Sequence, residues 1–419
     1  MTAGPEPVDA PVDPVLARYT EGLRPLRRRY ALIVAAAIVL LVAGVTATWL
    51  TGEGRATTLE VATDPEPAVA NVPLGSTLTV AWTSDDATAG GITATQGTIV
   101  TYGEHAVRGR NALTGEVRWS YTRTDVTVCD VVTQDGVAVA VFRKNGNCDQ
   151  VVGLDAVTGQ RRYNRTLQDS GDSTMSTRSG STMIVSAHGV HVISPGFDEA
   201  NVPAGGLDRW YWTPEDCAVD AAVIGGRGVL TALSCGSIDR LVLRKPYEDG
   251  EFWSIEDSAR PLVVTDAAVL GWDAAASTLV SFALETGARV AALPLTDCAD
   301  PVATEVGGLA MLLCGGDTLR AFAADGGTLA PVWAIPAVAL PVVQSTLEVG
   351  DGRMVVIGPD GARTVAVATG AAPAGAGLTG PAVLPAAAQA ALADASRVER
   401  NGAGLLIAGT GTMMLRGAG

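Results

Sequence analysis

The sequence is poor in aromatic residues and in histidine. Phe, Trp and Tyr make up 5% of the 419 residues, so Ala, Val, Leu and Ile must fill most of the core. Only three histidines are present. His188 and His191 are three residues apart in a predicted strand, which places them on opposite faces and disfavours a shared metal ion. Lysine is also scarce, and the abundance of Arg, Ala and Gly favours a GC-rich bacterial genome.

Several enzyme signatures are missing from the chain. It has no G-x-S-x-G, no H-E-x-x-H and no C-x-x-C, which argues against esterase, zinc-protease and thiolate-metal sites. Residues 375–380 match G-x-G-x-x-G in letters, but Pro381 follows at once and no βαβ unit surrounds them. The acidic residues include no clear pair of general acid and base. We therefore predict no catalytic, cofactor-binding or metal site.

Basic residues are outnumbered by acidic ones, which gives a net charge of −15 at pH 7. A strongly acidic protein repels nucleic acid, so no nucleic-acid partner is expected. Residues 1–29 are rich in Pro and in acidic residues at their start and poor in core-forming residues throughout. This composition predicts a disordered tail.

One long apolar run lies near the N-terminus. Tyr30–Leu50 contains no charged residue, and as a helix it would be about 32 Å long, close to the thickness of the hydrocarbon core. Arginines crowd its N-terminal side, so the positive-inside rule predicts a transmembrane helix with a cytoplasmic tail and an extracytoplasmic remainder. A cleaved signal peptide is the alternative, although its apolar region is usually about 7–15 residues long. The prolines of residues 51–75 predict an extended stalk.

Residues 76–419 contain a repeated turn sequence. Each copy ends in a glycine that can supply the positive φ of a tight turn, and some copies are followed by a tryptophan. The repeated residues are Asn111, Gly115, Trp119, Asp155, Gly159, Gly287, Gly327, Trp333 and Gly370. Their period is about 40 residues, which in a chain of short strands is typical of a β-propeller.

These segments resemble the PQQ-like, or quinoprotein-type, propeller repeat, in which a Thr-Gly turn and a later tryptophan end each blade. The resemblance covers residues 76–419. It implies an all-β propeller in which the tryptophans dock between neighbouring blades. The family includes quinone-dependent dehydrogenases and non-enzymatic scaffolds, such as the lipoprotein that assists outer-membrane protein assembly.

The number of repeats predicts an eight-bladed propeller. Seven full repeats are followed by residues 396–419, which have room for three strands. A lone strand, Thr77–Ser84, precedes the first repeat and carries Trp82 at the position of the repeat tryptophan. Because an open ring would expose unpaired strand edges, this strand is expected to complete the eighth blade. A seven-bladed ring is the alternative if residues 341–419 hold one blade.

The six cysteines all follow the apolar run. Each consecutive pair brackets one glycine-containing turn, so folding the hairpin brings both cysteines to the same end. An even number of cysteines in an extracytoplasmic chain favours disulfides, with metal binding and free buried thiols as alternatives. The predicted pairs are Cys129–Cys148, Cys217–Cys235 and Cys298–Cys314.

The resemblance implies either a dehydrogenase or a scaffold. Dehydrogenases of the family carry adjacent cysteines near the quinone and a metal site with acidic ligands, whereas no two cysteines are adjacent here. We therefore expect a non-catalytic scaffold, anchored through Tyr30–Leu50, that binds other proteins of the bacterial cell envelope. A quinone-dependent dehydrogenase and a ligand-sensing ectodomain are the alternatives. Loops usually carry binding residues, and Pro195–Asp208 is a long insertion in the third repeat.

Overall fold

The structure of the chain is a computed structural model. It describes residues 30–42, 53–65, 75–91, 94–95, 97–168, 171–178, 180–194, 207–246, 250–315, 317–325, 328–337, 340–342, 352–371, 382–392, 395, 397–401 and 404–417. The chain forms two compact units, Met1–Thr57 and Thr58–Gly419. The predicted disordered tail, residues 1–29, lies outside the described residues, as do residues 195–206 of the predicted insertion.

Three helices occur in the described residues. They are α1 (residues 30–42), α2 (Glu53–Ala56) and α3 (Ala386–Leu392). None of the helices in these ranges has both the length and the apolar character needed to cross a membrane. The last part of the predicted membrane segment, residues 43–50, lies outside the described ranges.

Short strands make up the rest of the regular structure, and tight turns join most of them. In chain order, the first half comprises β1 (Thr57–Glu60), β2 (Leu78–Ser84), β3 (Ala87–Thr88), β4 (Gly90–Gly91), β5 (Ala94–Thr95), β6 (Thr98–Tyr102), β7 (Ala106–Asn111), β8 (Val117–Arg123), β9 (Thr127–Gln134), β10 (Val137–Lys144), β11 (Asn147–Asp155), β12 (Arg161–Thr166), β13 (Ser173–Arg178), β14 (Ser181–Ser186), β15 (Gly189–Ser194) and β16 (Leu207–Trp212). The second half comprises β17 (Ala218–Ile224), β18 (Val229–Cys235), β19 (Ile238–Arg244), β20 (Glu251–Glu256), β21 (Arg260–Val264), β22 (Val269–Asp273), β23 (Thr278–Phe282), β24 (Arg289–Pro294), β25 (Val302–Val306), β26 (Leu309–Cys314), β27 (Thr318–Asp325), β28 (Thr328–Pro336), β29 (Leu340–Val342), β30 (Arg353–Gly358), β31 (Gly361–Ala366), β32 (Arg397–Asn401), β33 (Gly404–Ala408) and β34 (Thr412–Gly417).

The strands of the described residues form eight sheets, numbered here in chain order. Sheet 1 contains β1, β3 and β5–β8, and sheet 2 contains β4 and β9–β12. Sheets 3 to 6 each contain four successive antiparallel strands, beginning with β13, β17, β21 and β25. Sheet 7 contains β30 and β31, and sheet 8 contains β2, β29 and β32–β34. The fold is therefore all-β, as predicted.

The hydrophobic core lies in layers between neighbouring sheets. All six residues of Val137–Phe142 in β10 are buried, because alternate side chains pack against Val107 of sheet 1 and Ile184 of sheet 3. A strand buried on both faces needs this continuous apolar sequence. The first strands of sheets 2 to 6 contact one another in turn, from β9 through β13, β17 and β21 to β25. These first strands therefore surround a common centre.

An early strand and the last strand of the second unit meet in sheet 8. Strand β2 pairs antiparallel with β34, from Leu78 opposite Gly417 to Ser84 opposite Thr412. The predicted pairing between the N-terminal strand and the C-terminal remnant is thus present. It covers a strand edge that would otherwise be open.

Two segments differ from the expectation. Thr57–Glu60, predicted as part of the stalk, forms β1 and pairs with β8 at the outer edge of sheet 1. Strand β4 leaves the first repeat and pairs in parallel with β9, with Gly91 opposite Thr133. At Gly91, φ is +73°, and a Cβ would lie 2.2 Å from the carbonyl oxygen of Thr133, so only glycine fits there.

Candidate functional site

A tryptophan on β8 of sheet 1 docks on the neighbouring sheet. Trp119 is fully buried, and its Nε1 donates a hydrogen bond to the carbonyl of Ala156 at 3.2 Å. Gly159 lies beneath the indole with φ of +75°, and a Cβ there would be 2.6 Å from Trp119 Cδ2. The glycine of each turn therefore has two roles: it allows the left-handed backbone, and it leaves room for the ring.

The same arrangement recurs at three further junctions between sheets. Each tryptophan donates to a carbonyl of the next turn and covers its glycine: Trp82 on Ala112 and Gly115, Trp253 on Leu284 and Gly287, and Trp333 on Val367 and Gly370. Trp82 belongs to β2 of sheet 8. Its contact with sheet 1, where the ring closes, is therefore the same as the contact of Trp119 with sheet 2. The repeat glycine Gly327 lies outside the described residues.

Two observations identify the architecture. Repeated tryptophan contacts join successive sheets, and the first strands of these sheets surround a common centre. The chain folds as a β-propeller. Each turn of the repeat must keep a fixed backbone conformation to receive the tryptophan. Polar side chains of the turn stabilise that conformation by hydrogen bonds to its backbone. Asn111 Oδ1 accepts hydrogen bonds from the backbone N–H groups of Leu113 and Thr114, at 2.8 and 3.0 Å.

Asp155 has the corresponding role in the propeller's second sheet. Its Oδ1 accepts from the backbone N–H of Val157 and of Thr158, and its Oδ2 pairs with Arg162 at 2.6 Å. Burial opposes ionisation of Asp155, but the hydrogen bonds from Arg162 and Thr158 outweigh it and hold the pKa below its usual value. Asp155 is therefore a structural carboxylate of the turn.

The six cysteines lie at the opposite end of the propeller from these turns. Cys129–Cys148, Cys217–Cys235 and Cys298–Cys314 are bonded, the pairing that the turn-bracketing pattern favours. They occupy sheets 2, 4 and 6, where the first strand begins and the turn between the second and third strands lies. We call this the disulfide end, and the end with the repeat glycines the turn end.

An open depression lies at the disulfide end, where the linkers flanking sheet 3 meet sheets 2 and 4. We call it the linker pocket. Its volume is about 540 Å³, and its lining includes Asn147, Asp149, Leu167, His188, Thr213 and Pro214. Two backbone hydrogen bonds join sheet 2 to lining residues that follow it, from Leu167 N–H to the carbonyl of Asp149 and from Cys148 N–H to the carbonyl of Gly171. Leu167 and Gly171 are therefore held against sheet 2.

At the turn end, an ion pair spans the centre of the propeller. Arg178 ends β13 in sheet 3, and its guanidinium hydrogen-bonds to the carboxylate of Glu305 on β25 in sheet 6. Burial raises the pKa of Glu305, the charge of Arg178 lowers it, and the nearby carboxylate of Asp266 raises it again, for a net increase. The pair links first strands that are three sheets apart and closes part of the centre.

This raised pKa predicts a pH-dependent effect on stability. Because Glu305 ionises less readily in the folded chain, its contribution to stability is full below its unfolded pKa and is lost as the pH rises through the folded pKa. Replacing Glu305 by Gln removes that loss, so the melting temperature of Glu305→Gln relative to wild type should rise as the pH increases above the usual pKa of glutamic acid, about 4.3. Differential scanning calorimetry in that range measures the trend.

The matched control for Glu305 is Glu285→Gln. Glu285 also pairs with an arginine, Arg227 at 3.4 Å, but its side chain is 73% exposed. Its melting-temperature difference from wild type should stay nearly constant across the same pH range, because solvent screens the exposed pair. A flat profile for Glu305→Gln would contradict the assignment of a buried, destabilised carboxylate.

Sequence reasoning did not find the linker pocket or the central ion pair. Arg178 and Glu305 are 127 residues apart and belong to different repeats. Neither position carries a motif or a periodic signal. Among the described residues, no cluster of three or more His, Cys, Asp or Glu side chains has the arrangement of a metal site.

Comparison with known proteins supports the fold. No family model matches the sequence, and no curated protein is similar to it. The computationally designed Ika8 protein has a TM-score of 0.55 at 11% identity, over 85% of this chain and 100% of that chain. BamB from Moraxella catarrhalis has a TM-score of 0.49 at 14% identity, over 82% and 100%. Quinohemoprotein alcohol dehydrogenase ADHIIG from Pseudomonas putida HK5 has 0.48 at 10% identity, over 84% and 78%.

The likeness extends to fold and no further at these identities. The predicted resemblance to PQQ-like propellers agrees with this likeness in fold. An activity or a partner cannot be transferred to this chain from structures so distant in sequence.

Proposed function

We propose that the chain is a membrane-anchored, extracytoplasmic, eight-bladed β-propeller that acts as a non-catalytic protein-interaction scaffold in the bacterial cell envelope. The observation that carries the proposal is the position of the disulfides. All three lie at the end where linkers and turns form the linker pocket. Cross-links at a loop surface fix the geometry that a partner meets.

Rigidity at this end favours binding for a physical reason. A flexible loop loses conformational freedom when it is ordered by a partner, whereas a loop held in advance loses little. Each disulfide ties a cysteine at or shortly before the start of a first strand to one at the end of the second strand or the start of the third in the same sheet. Sheets 2, 4 and 6 each contain one disulfide. Each linker between successive sheets from 2 to 6 therefore adjoins a disulfide-bonded sheet.

The location is supported by two independent features. The uncharged segment Tyr30–Leu50 follows a cluster of arginines, which favours a cytoplasmic N-terminus and an extracytoplasmic propeller. Three disulfides in a chain of this kind favour an oxidising compartment, because cytosolic thiols are kept reduced. Both features point to the same side of the membrane.

Eight blades are supported by the eight sheets of the described residues and by the closing strand. Sheets 7 and 8 contain separate antiparallel pairs, β30 with β31 and β32 with β33. Trp82 of sheet 8 docks on sheet 1 in the same way that Trp119 of sheet 1 docks on sheet 2. These features favour two blades for the last two sheets.

Site-specific photo-crosslinking in living cells tests the scaffold function. A photoreactive amino acid at Ser237 or Ala275, exposed positions in turns at the disulfide end, should give discrete protein adducts. The matched positions at the turn end are Thr286 and Thr369, which are also exposed and should give far fewer adducts. Equal yields from both ends, or no adducts from either, would contradict a scaffold that uses the disulfide end.

A further inference from the structure

We infer that the disulfide of sheet 4, Cys217–Cys235, is a redox-active site that exchanges with the two thiols of a protein dithiol, whereas the disulfides of sheets 2 and 6 are structural. The inference goes beyond the proposed scaffold function and does not depend on it. Three observations lead to it: the exposure of the bond, the open pocket beside Cys217, and the register of the two strands that carry the cysteines.

The first observation is exposure. Both cysteines of the sheet 6 disulfide are buried, and so is Cys148 of the sheet 2 disulfide. Cys217 and Cys235 are each partly exposed, so the sheet 4 disulfide is the one bond of the three in which solvent reaches both residues. An attacking thiolate must contact a sulfur atom, and access therefore decides which disulfide exchanges in the folded chain.

The second observation is the linker pocket. Of the six cysteines, Cys217 alone lines this open depression of about 540 Å³. Its open side gives a cysteine side chain of a partner protein a route to the sulfur of Cys217. Cys235 adjoins the exposed turn residues Gly236 and Ser237, so a thiolate released at Cys235 lies next to solvent. The attacked sulfur is therefore that of Cys217, and the leaving sulfur is that of Cys235.

The third observation is the register of β17 and β18. Cys217 directly precedes β17, Cys235 ends β18, and the next residues inward, Ala218 and Ser234, lie opposite each other. The two cysteines thus extend the antiparallel ladder as an opposed pair. Their Cα atoms are 4.2 Å apart, near the separation of about 4.5 Å in non-hydrogen-bonded pairs. Because six residue pairs hold the two strands together, reduction leaves both thiols side by side and the bond can form again.

The other two disulfides differ in this respect. Cys129 on β9 and Cys148 on β11 are separated by β10, so their bond joins strands that are not neighbours. Cys298 lies in the linker before β25, and its bond to Cys314 fastens that linker to the end of β26. Each of these bonds supplies a connection that the ladder does not make. Together with their buried cysteines, this favours a structural role for both.

The exchange takes place in two steps. One thiolate of the partner dithiol attacks the Sγ of Cys217, the bond between Cys217 and Cys235 breaks, and Cys235 leaves as a thiolate. A mixed disulfide then joins the partner to Cys217. The partner's second thiolate attacks its own sulfur in that mixed disulfide and releases Cys217. The partner is oxidised to a disulfide by loss of two electrons, which reduce the Cys217–Cys235 bond, and the two protons of the dithiol are balanced by the two thiols formed.

Timed reduction of the folded chain tests the inference. The full-length chain in detergent micelles is incubated with dithiothreitol and, separately, with reduced thioredoxin as a protein dithiol. Iodoacetamide then blocks the free thiols, and mass spectrometry identifies the labelled residues. All six cysteines are bonded at the start, so each labelled cysteine reports a reduced bond. With both reductants, Cys217 and Cys235 should be labelled together and about 100-fold faster than Cys298 and Cys314, because a buried bond reacts only after local opening.

The disulfides of sheets 2 and 6 are the internal controls, and the matched variant is Cys217→Ser/Cys235→Ser. This variant should lose the fast labelling phase, while its other four cysteines keep their slow rates. In wild type, the circular dichroism spectrum should persist after the fast phase, and oxidised glutathione should restore the Cys217–Cys235 bond once the reductant is removed.

Three results would overturn the inference. Equal reduction rates for the three bonds would show that sheet 4 holds no special site. Reduction by dithiothreitol but not by thioredoxin would show that the bond is closed to protein dithiols. Loss of the folded spectrum during the fast phase would show that the bond is structural. None of these results bears on protein crosslinking at the disulfide end, so the proposed function is tested separately.

Discussion

Deletion of residues 76–84 should abolish cooperative folding of the propeller. The deletion removes β2, in which Leu78 and Trp82 are buried, and it leaves the edge of β34 without a partner. It also removes the indole that covers Gly115 in sheet 1. Because β2 closes the ring, its deletion removes buried side chains from the core layers on both sides of sheet 8.

Circular dichroism during heating measures this effect. The single substitution Trp82→Ala keeps the strand and should lower the free energy of unfolding by about 3–5 kcal/mol. The matched control is deletion of β1, whose residues Thr57–Glu60 are mostly exposed at the outer edge of sheet 1. That deletion should leave the unfolding transition nearly unchanged. A melting temperature within a few degrees of wild type after removal of 76–84 would contradict the closure.

Substitution of the repeat glycine should destabilise the propeller far more than substitution of an ordinary turn glycine. In Gly159→Ala, the new Cβ would lie 2.6 Å from the ring of Trp119, so the ring must leave its position and lose its hydrogen bond to Ala156. We expect a loss of about 3–5 kcal/mol, similar to that for Trp119→Ala, because both changes disrupt the same contact.

Gly136→Ala is the matched control, since Gly136 also has a left-handed backbone, with φ of +74°. A Cβ at Gly136 would have no atom within 4 Å, so the change costs only the strain of the backbone, about 1–2 kcal/mol. Urea denaturation of the three variants gives the comparison. Equal losses for Gly159→Ala and Gly136→Ala would show that the glycine serves the turn alone and that the tryptophan contact contributes little.

The repeat and the closure could be predicted from the sequence because each depends on local patterns. The turn residues recur at a fixed period, so Asn111, Asp155 and their glycines mark the same structural position in different sheets. Trp82 could be assigned to the closing strand because it lies where the repeat places a tryptophan. The cysteine pairs could be predicted because each pair brackets one turn of one sheet.

The central ion pair and the path of β4 could not be predicted in this way. Arg178 and Glu305 meet only because the ring brings sheets 3 and 6 across from each other, and neither residue repeats at the propeller period. Gly90 and Gly91 follow no strand pattern, and their pairing with β9 depends on space at the centre. The linker pocket depends likewise on four segments that are separate in the sequence.

Quinone binding is the measurement that tests the central claim most directly. The purified full-length chain is incubated with pyrroloquinoline quinone and Ca²⁺, and binding is followed by isothermal titration calorimetry. Alcohols and aldose sugars are then assayed with an artificial electron acceptor. A non-catalytic scaffold predicts no stoichiometric binding and no substrate-dependent reduction of the acceptor. Stoichiometric binding of the quinone together with substrate-dependent reduction would contradict the scaffold and identify the propeller as a dehydrogenase.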